Sequence, residues 1–264
     1  MTEPRLVRLA LRVRADQADV ALANLQPLLG AGAEERDLGG SVEYAIYLPE
    51  GELPPPEAIR ALAGDALLGT ITEPVPEDWE RRYLAHLRRI EVGPLSIRPP
   101  WLEGEPGDLV IDPGTTFGAG THATTRLSLG LLLESDPAGA LCDWGAGSGV
   151  LAVAAARLGW GPVTAVELDP AALPVIDANA AANGVSVTAR TADLLTEPPP
   201  TAPTITANLT PALHRSIGER LDAKPERLIA SGVLERYADG LADVYGMAEL
   251  DRRHEGAWAA VVLG

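Results

Sequence analysis

Three glycines on alternate positions, one acid before them and another beyond, are the residues best placed to bind a small molecule. Gly145, Gly147 and Gly149 follow Asp143 and separate the apolar Leu141-Cys142 from the alanine-rich run Val150 to Leu158. Strand, glycine turn and helix, in that order, open a nucleotide-binding βαβ unit. The missing Cβ atoms let the turn tighten and a ligand approach the backbone. The first free N–H groups of the helix point into the same crevice. A dinucleotide fingerprint, G-x-G-x-x-G, would place its third glycine at position 150, which is Val. The run instead reads Asp-x-Gly-x-Gly-x-Gly, and Asp143 suits a cationic, amino-acid-like group better than a pyrophosphate. Twenty residues past Gly147 the apolar run Val163 to Val166 ends in Glu167, where a carboxylate can take both hydroxyls of a ribose. Asp193, after the following strand, can meet the adenine amine. The combination favours S-adenosylmethionine over NAD.

A second stretch with unusual chemistry is Asp112-Pro113-Gly114 through Arg126, which carries three glycines, five hydroxyl residues and one Phe. A phosphate loop of the Walker type requires Gly-Lys-Ser/Thr, and this stretch has no lysine. It reads as a lid closing over a bound cofactor. The histidines at 86, 122, 214 and 254 show no metal-ligand spacing, so no metal is expected. His122 lies in the lid; the other three read as surface or packing residues.

The elements that must position these groups fall into two sets. Residues 4–14 alternate, with Val7, Leu9, Leu11 and Val13 on one side and Arg8, Ala10 and Arg12 on the other, as in a half-buried strand. Asp16 then caps a helix to Leu29, Gly39-Gly40 links a hairpin, Pro54 to Pro56 precede a short helix, and Leu67 to Thr72 form a last strand. The order β-α-β-β-α-β is the ferredoxin-like arrangement. From Leu109 onward strands and helices alternate, as in a parallel doubly wound sheet. The expected fold is therefore α/β: a Rossmann-like seven-stranded doubly wound domain at 107–264, a small ferredoxin-like α+β domain at 1–74, and a helical and extended connector at 75–106. Helices are expected at 78–87, 127–133 and 213–221, strands at 185–189, 204–207 and 227–230, and a terminal hairpin from Met247.

With 21 basic against 37 acidic side chains the net charge is −16, which argues against nucleic acid as a direct partner and favours a basic one. The single cysteine, Cys142, has no internal disulfide partner and sits in an apolar strand. The N-terminal stretch has no signal-like apolar core, and no run is long enough to span a membrane, so a cytoplasmic location is expected.

The lid, the glycine turn and Asn208 together carry a family resemblance. The chain resembles class I S-adenosylmethionine-dependent methyltransferases and is similar, more narrowly, to the PrmA family, which methylates large-subunit ribosomal protein L11. The resemblance rests on Asp112-Pro113-Gly114, Phe117 to His122, Thr124-Thr125, Asp143 to Gly149, Glu167 to Pro170, Asn179 with Asn183-Gly184, Ala207-Asn208-Leu209 and Ser231-Gly232. It implies that Phe117 and Thr125 line the cofactor site and that Gly145 and Gly147 bear the methionine part. It also implies that Glu167 holds the ribose, and that Asn208 borders both the transferring methyl and the acceptor amine. S-adenosylhomocysteine would be the product and lysine side chains, with the N-terminal amine a further acceptor, the targets. Trp144, bulkier than the family's usual residue there, is expected to point into the sheet's packing.

An activated methyl needs little beyond positioning of the two reactants, a contribution of about 7–11 kcal/mol. The acceptor amine must be deprotonated, which burial favours. The Asn208 oxygen could accept its N–H and aim its lone pair. Two other readings compete: methylation of another protein or a small amine, and an NAD-linked oxidoreductase or silent adenosine-binding protein.

Overall fold

The computed structural model describes residues 5–29, 34–75, 87–114 and 120–264. Contacts divide the chain into units at 1–83 and 84–264. The expected helix at 78–87 falls, apart from Leu87, outside the described residues, as do Phe117 and the rest of 115–119.

The first unit contains β1 (Leu6–Arg14), α1 (Ala18–Leu29), β2 (Glu34–Asp37), β3 (Ser41–Pro49), α2 (Pro56–Ala63) and β4 (Leu67–Pro74). Its sheet has the order β2-β3-β1-β4, with β1 antiparallel to both neighbours, which is the ferredoxin-like topology. The alternation seen in β1 does the sorting: Leu9, Leu11 and Val13 bury against Leu25, Tyr44 and Ile59. On the other face Arg8 and Arg12 both donate to Glu43, at 2.7 and 3.0 Å. The Arg8 hydrogen bond, more than any other influence, holds the Glu43 carboxyl below its ordinary range. Asp16 does not cap α1. It lies in a single turn before the helix, and its carboxylate is taken by Arg14.

The second unit begins with a three-stranded sheet in the order β5 (Ile90–Val92), β6 (Leu95–Arg98), β7 (Leu109–Val110). Its strands are too short for periodicity to reveal, and the sequence showed only an extended stretch there. The main sheet contains β8 (Leu141–Trp144), β9 (Val163–Glu167), β10 (Thr188–Thr191), β11 (Thr204–Asn208), β12 (Arg227–Leu234), β13 (Glu249–Glu255) and β14 (Trp258–Leu263). They lie in the order β10-β9-β8-β11-β12-β14-β13, with β14 antiparallel to its neighbours and the remaining pairs parallel. The central strands are apolar on both faces because helices cover both. α3 (Ala123–Leu133), α4 (Val150–Leu158) and α5 (Ala172–Ala182) share one core with Leu141, Val163 and Ala165. α6 (Pro211–Gly218) and α7 (Glu235–Tyr245) share the other with Cys142, Ile205 and Leu228.

Several boundaries differ from the sequence reading. Helix α3 starts four residues before Leu127, because His122 caps it and Thr124 and Thr125 enter its first turn. Strand β10 starts at Thr188 rather than Val185. Helix α6 starts at Pro211, the first-turn position that proline favours, behind the Thr210 cap. Strand β12 runs through Ser231-Gly232 to Leu234, with a register shift between Ser231 and Val233. Trp144 is fully buried and its indole N–H donates to the Pro200 carbonyl at 2.8 Å, so it packs within the fold. Among the described residues no helix is long and apolar enough to cross a membrane.

Candidate active site

The turn after β8 holds its three glycines at φ +69°, +53° and +79° for Gly145, Gly147 and Gly149, a region that side chains disfavour. Gly145 has a second constraint, since a Cβ there would come within 2.4 Å of Leu209 Cδ2. The Gly145 and Ala146 N–H groups donate to the Val166 carbonyl at 2.8 and 3.0 Å, docking the turn on β9. Glu167, the last residue of β9, completes the tie. Its Oε2 accepts from the Gly147 N–H at 2.8 Å and its Oε1 from the Leu168 N–H at 2.7 Å. Each carboxylate oxygen keeps acceptor capacity for a further hydroxyl.

Asp143 is buried one strand residue before Trp144, and its Oδ1 accepts from Thr206 Oγ on β11 at 2.7 Å. Its Oδ2 makes no well-formed hydrogen bond among the described residues. Burial is the largest influence and raises the carboxyl to about 7, against the opposing pull of Thr206 and the Ala152 backbone. Asp193 lies beyond the end of β10 and organises its own turn, accepting from the Leu195 N–H at 2.9 Å and Thr196 Oγ at 2.8 Å. The Thr196 hydroxyl is the main reason its carboxyl is held low.

Asn208 closes β11. Its Oδ1 accepts from Ser231 Oγ at 3.1 Å, and its Nδ2 reaches Thr125 Oγ at 3.5 Å. Thr125 is itself buried in the first turn of α3. The glycine turn, Asp143, Glu167 and Asn208 therefore meet at the carboxyl ends of β8, β9 and β11, where doubly wound sheets bind ligands. Asp193 stands at the carboxyl end of the strand beyond. Phe117 lies outside the described residues. His122 accepts from the Thr124 N–H as the cap of α3 and meets the Trp258 ring edge-on at 4.9 Å between centroids.

Two asparagines have more to do than the sequence suggested. Asn183, at the C-cap of α5, pairs its carboxamide with both the N–H and the carbonyl of Val110, at 2.9 and 2.7 Å. Asn179, one turn earlier, does the same to Asp112, at 2.8 and 2.9 Å, and also donates to the Ser148 carbonyl at 2.9 Å. One side chain thus joins Asp112 to the glycine turn. The available signal was two carboxamides four residues apart on an otherwise alanine-rich helix. Ser231 and His214 gave less: a lone hydroxyl before glycine and a lone imidazole have no pattern. His214 is wholly buried, the packing alternative of its sequence reading. It bonds Tyr245 through Nδ1 and the Ser231 carbonyl through Nε2, at 2.7 and 2.8 Å.

Comparisons with known proteins agree with this architecture. The family model "Ribosomal protein L11 methyltransferase (PrmA)" matches residues 59–263. The ribosomal protein L11 methyltransferase of Pelotomaculum thermopropionicum is 39% identical over 217 residues, spanning 76% of this chain and 70% of that protein. That of Cupriavidus necator is 31% identical over 254 residues, spanning 89% and 83%. The crystal structure of the ribosomal protein L11 methylase of Lactobacillus delbrueckii subsp. bulgaricus superposes with a TM-score of 0.58 at 25% identity, covering 67% of this chain and 96% of that one. A sheet of this order, ending on this glycine turn, with a family match over most of its length, leads to one assignment. The chain belongs to the PrmA family of ribosomal protein L11 methyltransferases.

Proposed function

We propose that this protein transfers the methyl group of S-adenosylmethionine to amines of ribosomal protein L11, on lysine side chains and with the N-terminal amine as a further acceptor. The observation that carries the reading is Asn208, a polar side chain with a bonded carboxamide, placed beside the glycine turn at the strand ends.

The residues fit the cofactor. Gly145 and Gly147 leave backbone unobstructed by Cβ atoms for its methionine part, and Asp143 Oδ2, lacking a good partner, is an acceptor for its ammonium. Glu167 can accept the ribose hydroxyls, Asp193 the adenine amine, and Thr125 can line the site; for Phe117, outside the described residues, the family resemblance implies the same. S-adenosylmethionine supplies a methyl already activated on a sulfonium.

The protein's part is then to select and orient the amine. A lysine side chain leaving water favours its neutral form, which frees the lone pair. The Asn208 oxygen accepts an N–H of that amine and aims the lone pair at the methyl. Positioning of this kind supplies most of what such a displacement needs. The domain roles follow: residues 1–74 recognise the protein substrate, 75–106 connect, and 107–264 carry the chemistry. A net charge of −16 speeds encounter with a basic protein acceptor.

The test is incubation of the enzyme with methyl-labelled S-adenosylmethionine and purified L11. Label is expected in L11. Its absence alongside cofactor binding would leave a different acceptor, and binding of NAD alone would overturn the reading.

A further inference from the structure

Ser231 lies directly across from Asn208 in the parallel pairing of β11 with β12. It is fully buried, and both its polar groups face the residues that close β11. Its hydroxyl lies 3.1 Å from Asn208 Oδ1 and 2.7 Å from Ser128 Oγ on α3. A hydroxyl has one proton to give. The Thr124 carbonyl competes for these protons, 3.0 Å from Ser128 Oγ and 3.3 Å from Ser231 Oγ. Asn208 Oδ1, at 3.1 Å, is the nearer carbonyl acceptor for Ser231, which donates to it while Ser128 donates to Ser231 or to Thr124. The Ser231 carbonyl accepts from the Leu209 N–H at 3.0 Å and also lies 2.8 Å from His214 Nε2. A carbonyl can only accept, so Nε2 carries the proton and Nδ1 accepts from the Tyr245 hydroxyl. Both lone pairs of that carbonyl are thereby used, one of them on the residue after Asn208.

Gly232 supplies an independent constraint. It sits at φ +86° where β12 shifts register, and a Cβ there would come 2.3 Å from the Leu209 carbonyl oxygen and 2.7 Å from its nitrogen. The bulge exists to let β12 touch the backbone that follows Asn208.

We infer that Ser231 is the positioning residue for transfer: its hydroxyl orients the Asn208 carboxamide while its carbonyl, backed by His214, fixes Leu209. This rests on the reading of Asn208 as the group that meets the amine. The hydroxyl donating to Oδ1 decides which end of the carboxamide faces which neighbour, leaving Nδ2 toward Thr125. It also polarises the oxygen that receives the amine's N–H.

The experiment is a double-mutant cycle in the full-length protein, with labelled S-adenosylmethionine and L11. Ser231→Ala is expected to lower kcat by about tenfold, the effect of one hydrogen bond, while cofactor Kd moves less than about twofold. In an Asn208→Ala background the same change should add less than about twofold. An equal loss in both backgrounds, or no loss in either, overturns the inference. If Asn208→Ala alone keeps wild-type kcat, the reading of Asn208 falls first, and distinguishably. A second readout needs no turnover. The Asn208 side-chain NH2 signals, assigned by their disappearance in Asn208→Asp, should shift in Ser231→Ala; unchanged signals would also overturn it. Ser231→Cys, with its weak S–H donor, is expected to fall between and serves if the alanine variant does not fold.

Discussion

The backbone N–H of Gly147 donates to Glu167 Oε2 at 2.8 Å, so the acid read as a ribose ligand also closes the glycine turn. The two roles share one carboxylate, and removing it affects both. Glu167→Ala is expected to weaken S-adenosylmethionine binding by roughly 10–100-fold, the range for losing a charge-assisted hydrogen bond. Glu167→Gln keeps one carbonyl oxygen and should lose less. Titration calorimetry measures both, and an unchanged Kd for the alanine variant would remove Glu167 from the site.

Asn208→Ala should separate turnover from binding. With the carboxamide gone the amine loses its acceptor, and kcat is expected to drop at least roughly tenfold. Cofactor Kd should change less than about twofold. Equal losses in kcat and in affinity would make Asn208 a cofactor ligand and nothing more.

Asn179→Ala removes the partners of both backbone groups of Asp112 and one donor to Ser148. Leaving buried polar groups short of partners costs about 1–3 kcal/mol, to be read as a lower midpoint in urea. Asn179→Asp keeps the acceptor but loses both donations and buries a charge, so it should be at least as damaging. A midpoint equal to wild type in both variants would contradict the joining role given to this side chain.

Two buried groups make stability depend on pH in opposite directions. Burial lowers His214 from its ordinary 6.5 to about 4. Its contribution is complete above 6.5 and is lost as pH falls toward 4, because the unfolded chain takes up the proton first. The full span is roughly 3 kcal/mol. Burial raises Asp143 from 3.8 to about 7. Its contribution is complete below 3.8 and is lost as pH rises toward 7. Accordingly, denaturant unfolding from pH 4 to 7 should show His214→Gln closing on wild type as pH falls. Asp143→Asn should gain on wild type as pH rises. Parallel curves would refute both assignments.

Deleting residues 1–74 tests the division of labour. Leu11, Leu25 and Tyr44 of the first unit belong to a different buried cluster from those that line the main sheet. The shortened protein is expected to retain cofactor binding by calorimetry and a cooperative melt, and to lose label transfer to L11. Undiminished transfer would refute substrate recognition by that segment.

Much of this protein is written locally. Alternating apolar positions in β1, the Gly39-Gly40 turn and the prolines before α2 each specify an element from a few neighbours, and their order specifies the topology. The glycine turn at 145–149 and the acid at the end of β9 are likewise legible, because backbone conformation and a fixed βαβ spacing are properties of contiguous sequence. Helix α3 was legible in kind but not in start, since His122 is an unusual cap.

What only the tertiary structure decided are the partnerships between residues far apart in the chain. Sequence shows Asn208, but that its oxygen is held by Ser231 depends on β12 pairing beside β11. Asn179 looks like one polar residue in an alanine helix until the fold brings its carboxamide to Asp112 and Ser148. His214 has no local feature that distinguishes a surface imidazole from one buried between Tyr245 and a strand carbonyl. Hydrogen bonds across such separations are set by how the layers stack, and stacking leaves no period in the sequence. The sequence by itself determined the fold class, the glycine turn and its acids; the packing of helices on the sheet decided how Asn208 is held.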